Sequence, residues 1–564
     1  MNIRVWRVAT ASFLVLATAF TLASLFVIFR QAVYIPYWDQ WGWIDRYLSG
    51  NETLVSLATT PINAHIVAVP ALLYWIDIAW FDASNRVNLA AMMACIAGIC
   101  LLLRGRFAGL ADAFRGTTRE IYFAVAVVLM LWFHNWENLF WPFQVHLYLA
   151  VLFSLASLSV LAAVAAKEIG HAAGIVVAFA LGLLAGASFG PGLGVWAPLL
   201  VVVVLGRRPA AWKWGAASAA VLLTALLAWY LSSWVAHESH PIGLLPSIEF
   251  LALYLGSPFF RGYNERALTT DPALLIVPLA AGYSALLLAC AVAVRVLRLR
   301  KRRPLNAAEL FFAGVMTFSL VAGAMAALVR GSGGAPAPAL ASRYGMLCLL
   351  FWLSAVPLAF AGVGVARIRA FTTVAPICLL AVLAGSQVYY LGWWLNWRSM
   401  IDGASASLVS GVPDPEYLGY VLHRPDMVER VASELMRRNL SPFHDARARW
   451  IGRSLPEAAR GVEHCVADVD APVRLPAGLR FSGTVQSVGL PFGERPVFVT
   501  DTGGQIVGLG NVDRGLYGDW REFADTRMRS WRAFAPVGET GHEPHRIFVS
   551  TGRGLCELER LSGP

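Results

Sequence analysis

The apolar run VATASFLVLATAFTLASLFVIF, residues 8–29, is closely followed by the aromatic segment YIPYWDQWGWIDRYLSG, residues 34–50. A run of this length can cross the roughly 30 Å hydrocarbon core of a bilayer as one helix. It exceeds the hydrophobic region of a typical signal peptide, and no clear small-residue cleavage site follows it, so we expect a retained helix. The aromatic segment places Asp39 and Asp45 at the membrane edge, where an acid costs free energy unless it is solvated, paired or used. The apolar run therefore marks the first crossing of the membrane, and the aromatic segment marks the first candidate site.

The composition indicates the class of protein. Of the 564 residues, 57% are hydrophobic and 14% are charged, and the mean hydropathy is +0.59. Soluble domains carry charge on about a quarter of their residues. We therefore predict an all-α polytopic membrane protein that lies in a lipid bilayer. The excess of basic residues behind its net charge of +10 is then located in the loops between helices, and no nucleic-acid partner is expected.

The apolar runs predict about eleven membrane-spanning helices, and the basic residues predict their orientation. Arginine and lysine gather in alternate loops, as they do on the cytoplasmic side of membranes. This pattern predicts that the N-terminus lies in the cytoplasm and that everything after residue 395 lies outside it. The predicted spans are residues 8–29, 86–103, 120–134, 146–166, 172–188, 193–206, 214–235, 274–294, 307–329, 345–363 and 373–394. The inner basic residues include Arg4, Arg7, Arg104, Arg106, Lys167, the run RVLRLRKRR at 295–303, Arg367 and Arg369.

The segment HIVAVPALLYWIDIAWF, residues 65–81, is apolar enough to suggest a twelfth span. A crossing there would move every later loop to the other side, and the basic run at 295–303 would then face outward. Pro70 and Asp77 also fit poorly on a helix that faces lipid. We therefore predict that this segment lies along the outer surface or re-enters from it.

The chain changes character near residue 395, which gives three predicted domains. Residues 1–395 form the transmembrane domain, residues 396–460 a helical periplasmic connector, and residues 461–564 a region of short strands and turns. The strands predict a β-sandwich-like or jelly-roll-like domain. Cys465 and Cys556 bracket this domain, so a disulfide between them is expected in an oxidising periplasm, and two free thiols are the alternative.

Polar residues on the predicted outer side form the candidate site. Asp39 lies among tryptophans whose rings can stack on a sugar, and a carboxylate in that setting suits a general base acting on a sugar hydroxyl. The alternative is that Asp39 caps the helix that begins near Gln40. The residues that we assign to substrate binding around Asp39 are Trp38, Trp41, Trp43, His65, Glu137 and Gln144.

Two arginines, Arg330 and Arg343, flank a Gly/Pro/Ala-rich loop between the ninth and tenth predicted spans. Guanidinium groups match phosphate geometry and stay charged, so these two residues are predicted to bind a lipid phosphate. Anchoring to lipid headgroups is the alternative. The motifs HESH (237–240) and HEPH (542–545) pair histidines without a visible third ligand, so no metal or other cofactor is indicated.

Five stretches of the chain carry a resemblance to a known family. They are PYWDQWGWIDRYLSG (36–50), NAHIVAVPALLYWIDIAWF (63–81), NWENLFWPFQVHLYL (135–149), LASRYGMLCLLFW (340–352) and DPEYLGYVLHRPDMVERVASELMRRNLSPF (414–443). Together with the first helix, the acidic outer loop and about ten further spans, they resemble a bacterial branch of the GT-C glycosyltransferases. The likeness covers roughly residues 8–445.

The resemblance implies an inverting enzyme that moves a sugar from a polyprenyl-phosphate donor to a glycan, lipid or protein acceptor outside. The first-loop acid is the usual catalytic residue of such enzymes, and this role falls on Asp39. Basic residues of outer loops usually hold the donor phosphate, and this role falls on Arg343 and Arg330.

Two other functions remain open from the sequence. One is an envelope polysaccharide polymerase or ligase that uses undecaprenyl-diphosphate-linked chains. The other is a non-catalytic scaffold or transport protein, although ion-coupled transporters tend to carry charged residues at mid-membrane depth. The predicted spans here are nearly free of ionisable groups.

Overall fold

The structure is a computed structural model, which describes residues 3–50, 52–60, 65–110, 116–169, 171–207, 223, 243–260, 272–330, 337–361, 365–455, 466–486, 495–514, 528–537, 546–550 and 555–558. The helices are α1 (Ile3–Gln31), α2 (Gln40–Leu48), α3 (Leu54–Thr59), α4 (Ala68–Phe81), α5 (Arg86–Phe107), α6 (Thr117–Met130), α7 (Trp136–Phe140), α8 (Val145–Ala165), α9 (His171–Gly186), α10 (Gly190–Leu193), α11 (Trp196–Leu205), α12 (Leu244–Gly256), α13 (Ile276–Arg302), α14 (Ala307–Arg330), α15 (Gly345–Phe360), α16 (Val365–Val409), α17 (Pro415–Val421) and α18 (Pro425–Arg437). The strands are β1 (Ala467–Val469), β2 (Val473–Leu475), β3 (Gly478–Gln486), β4 (Pro496–Thr500), β5 (Ile506–Val512), β6 (Met528–Pro536), β7 (Arg546–Ser550) and β8 (Leu555–Glu557).

Eight helical stretches of the described chain are long and apolar enough to cross a membrane, as expected of a polytopic membrane protein. The predicted spans 172–188 and 193–206 correspond to the shorter helices α9 and α11, and the predicted span 214–235 lies outside the described residues. Helix α12 is a further apolar helix that is not among the predicted spans. The eight stretches are Trp6–Gln31, Arg86–Phe107, Thr117–Phe140, Pro142–Ala165, Ala273–Arg302, Ala307–Leu328, Ser342–Phe360 and Ala375–Val409.

Contacts between loops divide the helix bundle into two ends. At one of them, Arg104 pairs with Glu120 at 2.8 Å, and Arg303 pairs with Glu309. The sequence gathers its basic residues in these loops, and we call this end the basic end. It comprises the loops around residues 104–120, 165–171, 205–207 and 295–309.

The opposite end, which we call the β end, holds the loops around residues 31–86, 130–145, 186–196 and 330–345 together with the C-terminal domain. Both termini of α4 make their contacts here. The Val69 amide donates to the Ala187 carbonyl at 3.2 Å, and the Asp82 carbonyl accepts from the Ser441 amide at 2.8 Å. Helix α4 therefore begins and ends at the same end of the bundle, in agreement with the prediction for residues 65–81.

Helices α12 and α13 pack through glycines. A Cβ atom on Gly282 would lie 1.8 Å from the Ala252 carbonyl oxygen, and one on Gly256 would lie 1.8 Å from the Pro278 carbonyl oxygen. Only residues without a side chain allow two helix backbones to approach this closely.

Helix α16 links the bundle to the C-terminal domain. It has 45 residues, which gives a length of about 68 Å at 1.5 Å per residue, roughly twice the thickness of a hydrocarbon core. The helix continues through residue 395, so the predicted boundary between transmembrane domain and connector falls within it. Its C-terminal part packs against β5 and β6.

The connector contains the amphipathic helix α18, which packs on α2. Its buried side chains follow helical spacing, so that one stripe of the helix faces the protein. They are Val428, Val431, Ala432 and Leu435.

The strands form one antiparallel half-barrel sheet in the order β1-β3-β6-β5-β4-β7-β8, with β2 beside β3. Within the described residues this is a single sheet, whereas the predicted sandwich-like domain requires two. Side chains alternate between its faces, since Val497 and Val499 belong to one apolar cluster and Phe498 to another. The second cluster includes Ala406 of α16, so the helix covers that face.

A buried ionic cluster fastens the sheet to the bundle. The Asp402 carboxylate of α16 lies 3.1 Å from Arg398 Nε and 2.8 Å from an Arg514 nitrogen, and Arg447 of the connector lies 3.7 Å away. Arg514 also donates to the Gln31 side chain at 2.8 Å, at the end of α1. Several arginines thus offset the cost of burying one carboxylate.

We predict that Gly282→Ala destabilises the protein, because the added methyl group must push α12 and α13 apart. The expected loss is about 1–3 kcal/mol, seen as a lower thermal unfolding midpoint of the purified protein in detergent. The matched control is Gly385→Ala in α16, where a Cβ would have no heavy atom within 4 Å. Alanine favours a helix over glycine by about 1 kcal/mol, so the control keeps or raises the midpoint. Equal midpoints for both variants would contradict the close packing.

Candidate functional site

The candidate site at the β end begins with a strained turn before α2. Trp38 has a backbone φ of 49°, in the left-handed region that bulky residues rarely adopt, and its amide donates to the Val421 carbonyl at 2.7 Å. Asp39 follows at the start of α2 and is exposed, and its carboxylate makes no capping hydrogen bond. The helix-cap alternative for Asp39 is therefore not realised, and strain of this kind is often retained at functional sites.

The tryptophans of the first loop differ in their exposure. Trp41 and Trp43 are 0% and 1% exposed, and the Trp43 ring packs against Tyr47 and Tyr74. Neither ring face is open to a ligand, so these two residues support the loop from the inside. Trp38 is half-buried and keeps part of its ring accessible. Of the three rings assigned to sugar binding, Trp38 alone has a surface for stacking.

Asp39 interacts electrostatically with residues from two other segments. Its charge acts on the guanidinium of Arg343, in the turn before α15. It also acts on the Tyr74 hydroxyl of α4, where burial, and secondly the Asp39 charge, raise the pKa of the phenol. Asp39 therefore lies within electrostatic range of Arg343, although the two residues are far apart in sequence.

Glu137 holds the turn that carries Arg343. Its carboxylate accepts hydrogen bonds from the Ser342 hydroxyl and the Arg343 amide, both at 3.0 Å, and its charge also acts on the Arg343 guanidinium. Asn138 donates from its side chain to the Arg343 carbonyl at 2.9 Å. Glu137, which was assigned to substrate binding, therefore positions the backbone of Arg343.

Arg330 lies over the ring of Tyr344, the last residue of this turn. Its guanidinium carbon is 5.9 Å from the centre of the Tyr344 ring, a cation–π distance. It also acts on His65, whose ring meets Phe189 edge to face at 4.4 Å. Burial, and secondly the charge of Arg330, lower the pKa of the His65 imidazole to about 4, so this side chain is neutral at physiological pH.

Gln144 and His146 form part of the wall behind the first loop. Gln144 is buried in a short turn at Pro142–Gln144. The Tyr74 hydroxyl donates to the Phe143 carbonyl at 2.8 Å and lies 2.9 Å from His146 Nδ1. These contacts fix the wall against which Tyr74 and the loop pack.

Polar atoms of the segment 134–141 and of Arg343 are buried without a hydrogen-bond partner among the described residues. Such atoms cost free energy unless water or a ligand satisfies them. Their number in one short segment indicates a polar region that can accept a ligand. They are His134 Nε2, Asn135 Oδ1 and Nδ2, Asn138 Oδ1, Trp141 Nε1 and Arg343 Nε.

Several predicted residues lie apart from this group. Asp45 pairs with Arg430 of α18 at 2.5 Å, so it joins the first loop to the connector. Cys556 is disulfide-bonded, and its predicted partner Cys465 lies outside the described residues. The motifs HESH and HEPH and residues 331–336 between the two arginines also lie outside them.

The structure adds residues that the sequence analysis did not assign to the site. Tyr344 lies beside both arginines, and Asn135 and Asn138 contribute the unsatisfied amide atoms. A sequence signal existed, because HNWEN at 134–138 places four polar side chains within an apolar region. Their lack of partners depends on packing and could not be predicted.

We predict that Glu137→Gln destabilises the protein by about 1–3 kcal/mol, because a neutral amide accepts the two hydrogen bonds less well and loses the attraction to Arg343. The measurement is thermal unfolding in detergent, with tryptophan fluorescence as the signal. The control is Glu416→Gln, which removes an exposed partner of Arg480 and should change stability by less than about 1 kcal/mol. If both variants unfold at the wild-type temperature, Glu137 does not hold the turn.

No protein-family model, curated protein or solved structure matches the chain. The chemistry of the candidate site is therefore argued from its own residues.

Proposed function

We propose that this protein is a glycosyltransferase of a bacterial inner membrane, which moves a sugar from a polyprenyl-phosphate donor to a glycan, lipid or protein acceptor outside the cytoplasm. One observation carries the proposal. The exposed, uncapped Asp39 carboxylate interacts with the Arg343 guanidinium, whose Nε has no hydrogen-bond partner in the described chain. Transfer from a lipid phosphate needs a base and an anion-binding group within reach of one substrate, and these two residues are suited to the two roles.

The reaction follows from the roles of these groups. Asp39 accepts the proton of the acceptor hydroxyl while the hydroxyl oxygen bonds to the anomeric carbon of the donor sugar. The bond between that carbon and the phosphate oxygen breaks, and its electron pair leaves with the lipid phosphate. Arg343, and Arg330 over the Tyr344 ring, stabilise the negative charge that develops there. Attack opposite the leaving phosphate inverts the anomeric centre.

The surroundings of Asp39 suit a lipid-linked donor. Helix α4, which also carries Tyr74, exposes Leu72, Trp80 and Phe81, and apolar side chains of this kind contact lipid. A polyprenyl tail can therefore stay in the membrane while its phosphate reaches Arg343. The half-buried Trp38 ring next to Asp39 offers a surface on which a sugar can stack.

We expect Asp39→Asn to reduce the initial rate of sugar transfer by at least about 100-fold, because the amide cannot accept the proton. The assay uses the purified full chain in nanodiscs with a panel of polyprenyl-phosphate hexoses and pentoses. Octyl glycosides serve as acceptors, and mass spectrometry detects the addition of one sugar.

The matched control is Asp45→Asn, an identical chemical change in the same loop. It removes only a surface ion pair with Arg430 and should leave the rate within about twofold of wild type. Full activity of Asp39→Asn with a donor that the wild type uses would disprove the catalytic assignment. Transfer only from undecaprenyl-diphosphate-linked sugars would instead favour the polymerase or ligase class.

Arg343→Lys tests the anion-binding role separately. Lysine keeps the charge but not the planar fork, so we expect a rate about tenfold below wild type. Arg343→Gln removes the charge as well, and its rate should fall by a further factor of about ten or more. Equal rates for the two variants would show that the charge at this position does not assist departure of the phosphate.

A further inference from the structure

A polar cleft opens at the β end beside the turn after α1, and Asp39 is not among the residues that line it. Four separate parts of the chain line it: the turn after α1, the start of α5, helix α16 and the connector, with β5 closing one side. It has a volume of about 200 Å³. Nothing in the proposed transfer reaction uses this cleft.

One face of α16 forms its floor. The lining residues of this helix recur about once per helical turn, with two neighbours at the third turn, so they lie along a single stripe. They are Arg398, Asp402, Ser405, Ala406 and Val409. The stripe runs from the buried ionic cluster towards the sheet, where Leu509 and Gly510 continue the wall.

The cleft carries an excess of positive charge. Arg86, Arg398 and Arg447 line it against two acids, Asp402 and Asp445. Asp402 is shared by Arg398, Arg447 and Arg514, so this single carboxylate faces three guanidinium groups. The remaining charge favours an anion, and guanidinium groups bind phosphate oxygens with matched geometry.

Arg86 is the arginine at the rim. It is exposed, and its guanidinium makes no ion pair or side-chain hydrogen bond within the described part of the chain. It is also the first residue of α5, where the Asn85 and Val87 amides donate to the buried Asp77 carboxylate at 2.8 and 3.2 Å. An anion at the rim would therefore be bound by the Arg86 guanidinium and not by the helix end. Across the cleft, the connector contributes Trp450 and the first loop contributes Tyr34, so rings flank the charged floor.

The position of the cleft relates it to the membrane surface. Arg86 begins one candidate span, Arg86–Phe107, and Tyr34 follows shortly after another, Trp6–Gln31. The rim therefore lies where apolar helix gives way to polar loops, which is the level of lipid headgroups.

We infer that this cleft binds an anionic, phosphate-bearing group, with Arg86 at its entrance and Arg447 and Arg398 inside. A lipid headgroup and a soluble organic phosphate share this chemistry. The site is separate from Asp39, so it does not depend on the proposed transferase activity.

The test uses the purified full chain in a neutral maltoside detergent. Dioctanoyl phosphatidylglycerol, dioctanoyl phosphatidylcholine and glycerol phosphate are titrated separately, and calorimetry measures the dissociation constants. We expect saturable binding of the anionic lipid and at least tenfold weaker binding of phosphatidylcholine. If the dissociation constant of glycerol phosphate lies within about tenfold of that of the anionic lipid, the ligand is a soluble phosphate. If only the anionic lipid binds, the ligand is a lipid headgroup.

Two substitutions assign the binding to the cleft. Arg86→Gln should weaken binding of the anionic ligand about tenfold, and Arg86→Glu should weaken it further. The matched control is Arg437→Gln, which removes one exposed positive charge from α18 and should leave the affinity unchanged. Asp39→Asn should also leave it unchanged, which separates this site from the proposed active site.

Equal affinity for the two lipids would overturn the inference, since an anion site must prefer net negative charge. Affinity that is the same in wild type, Arg86→Gln and Arg86→Glu would overturn it as well. Both Arg86 variants change an exposed side chain and should fold normally, which their unfolding midpoints will check.

Discussion

The hydrogen bonds of the Glu137 carboxylate are the constraint on which the candidate site depends. They join the loop before α8 to the turn before α15, and this joint presents Arg343 to the first loop. Without a guanidinium at that place, Asp39 would be one exposed acid among many at a membrane edge. The combination of a fixed backbone and an incompletely bonded guanidinium gives the site its capacity for an anion.

Much of the arrangement could be predicted because it depends on residue type alone. The positive-inside pattern assigns loops to one end or the other from their lysines and arginines. The loops that contain Asp39, Glu137 and Arg343 were therefore expected on one side. In the structure Glu137 bonds the Arg343 amide, and Asp39 lies within electrostatic range of the Arg343 guanidinium. The pattern does not specify which side chains touch, so the role of Glu137 in holding the Arg343 backbone was not predicted.

Other features depend on packing, and the sequence leaves them open. Aromatic rings at a membrane edge can either stack on a ligand or fill the protein interior, and the sequence does not distinguish the two. In the structure Trp41 and Trp43 are fully buried, so they fill the interior. Alternating strands fit two facing sheets as well as one sheet covered by a helix. Here α16 runs about 68 Å and reaches the sheet itself, so a second sheet is not required on that face.

Consecutive residues of α16 connect the two polar regions of the β end. Trp397 donates from its ring to the Tyr37 hydroxyl at 2.7 Å, next to the turn that presents Asp39. Arg398, the following residue, faces the other way, bonds the Ala32 carbonyl and lines the cleft. The first loop is therefore held from two sides by one rigid helix that also carries the sheet.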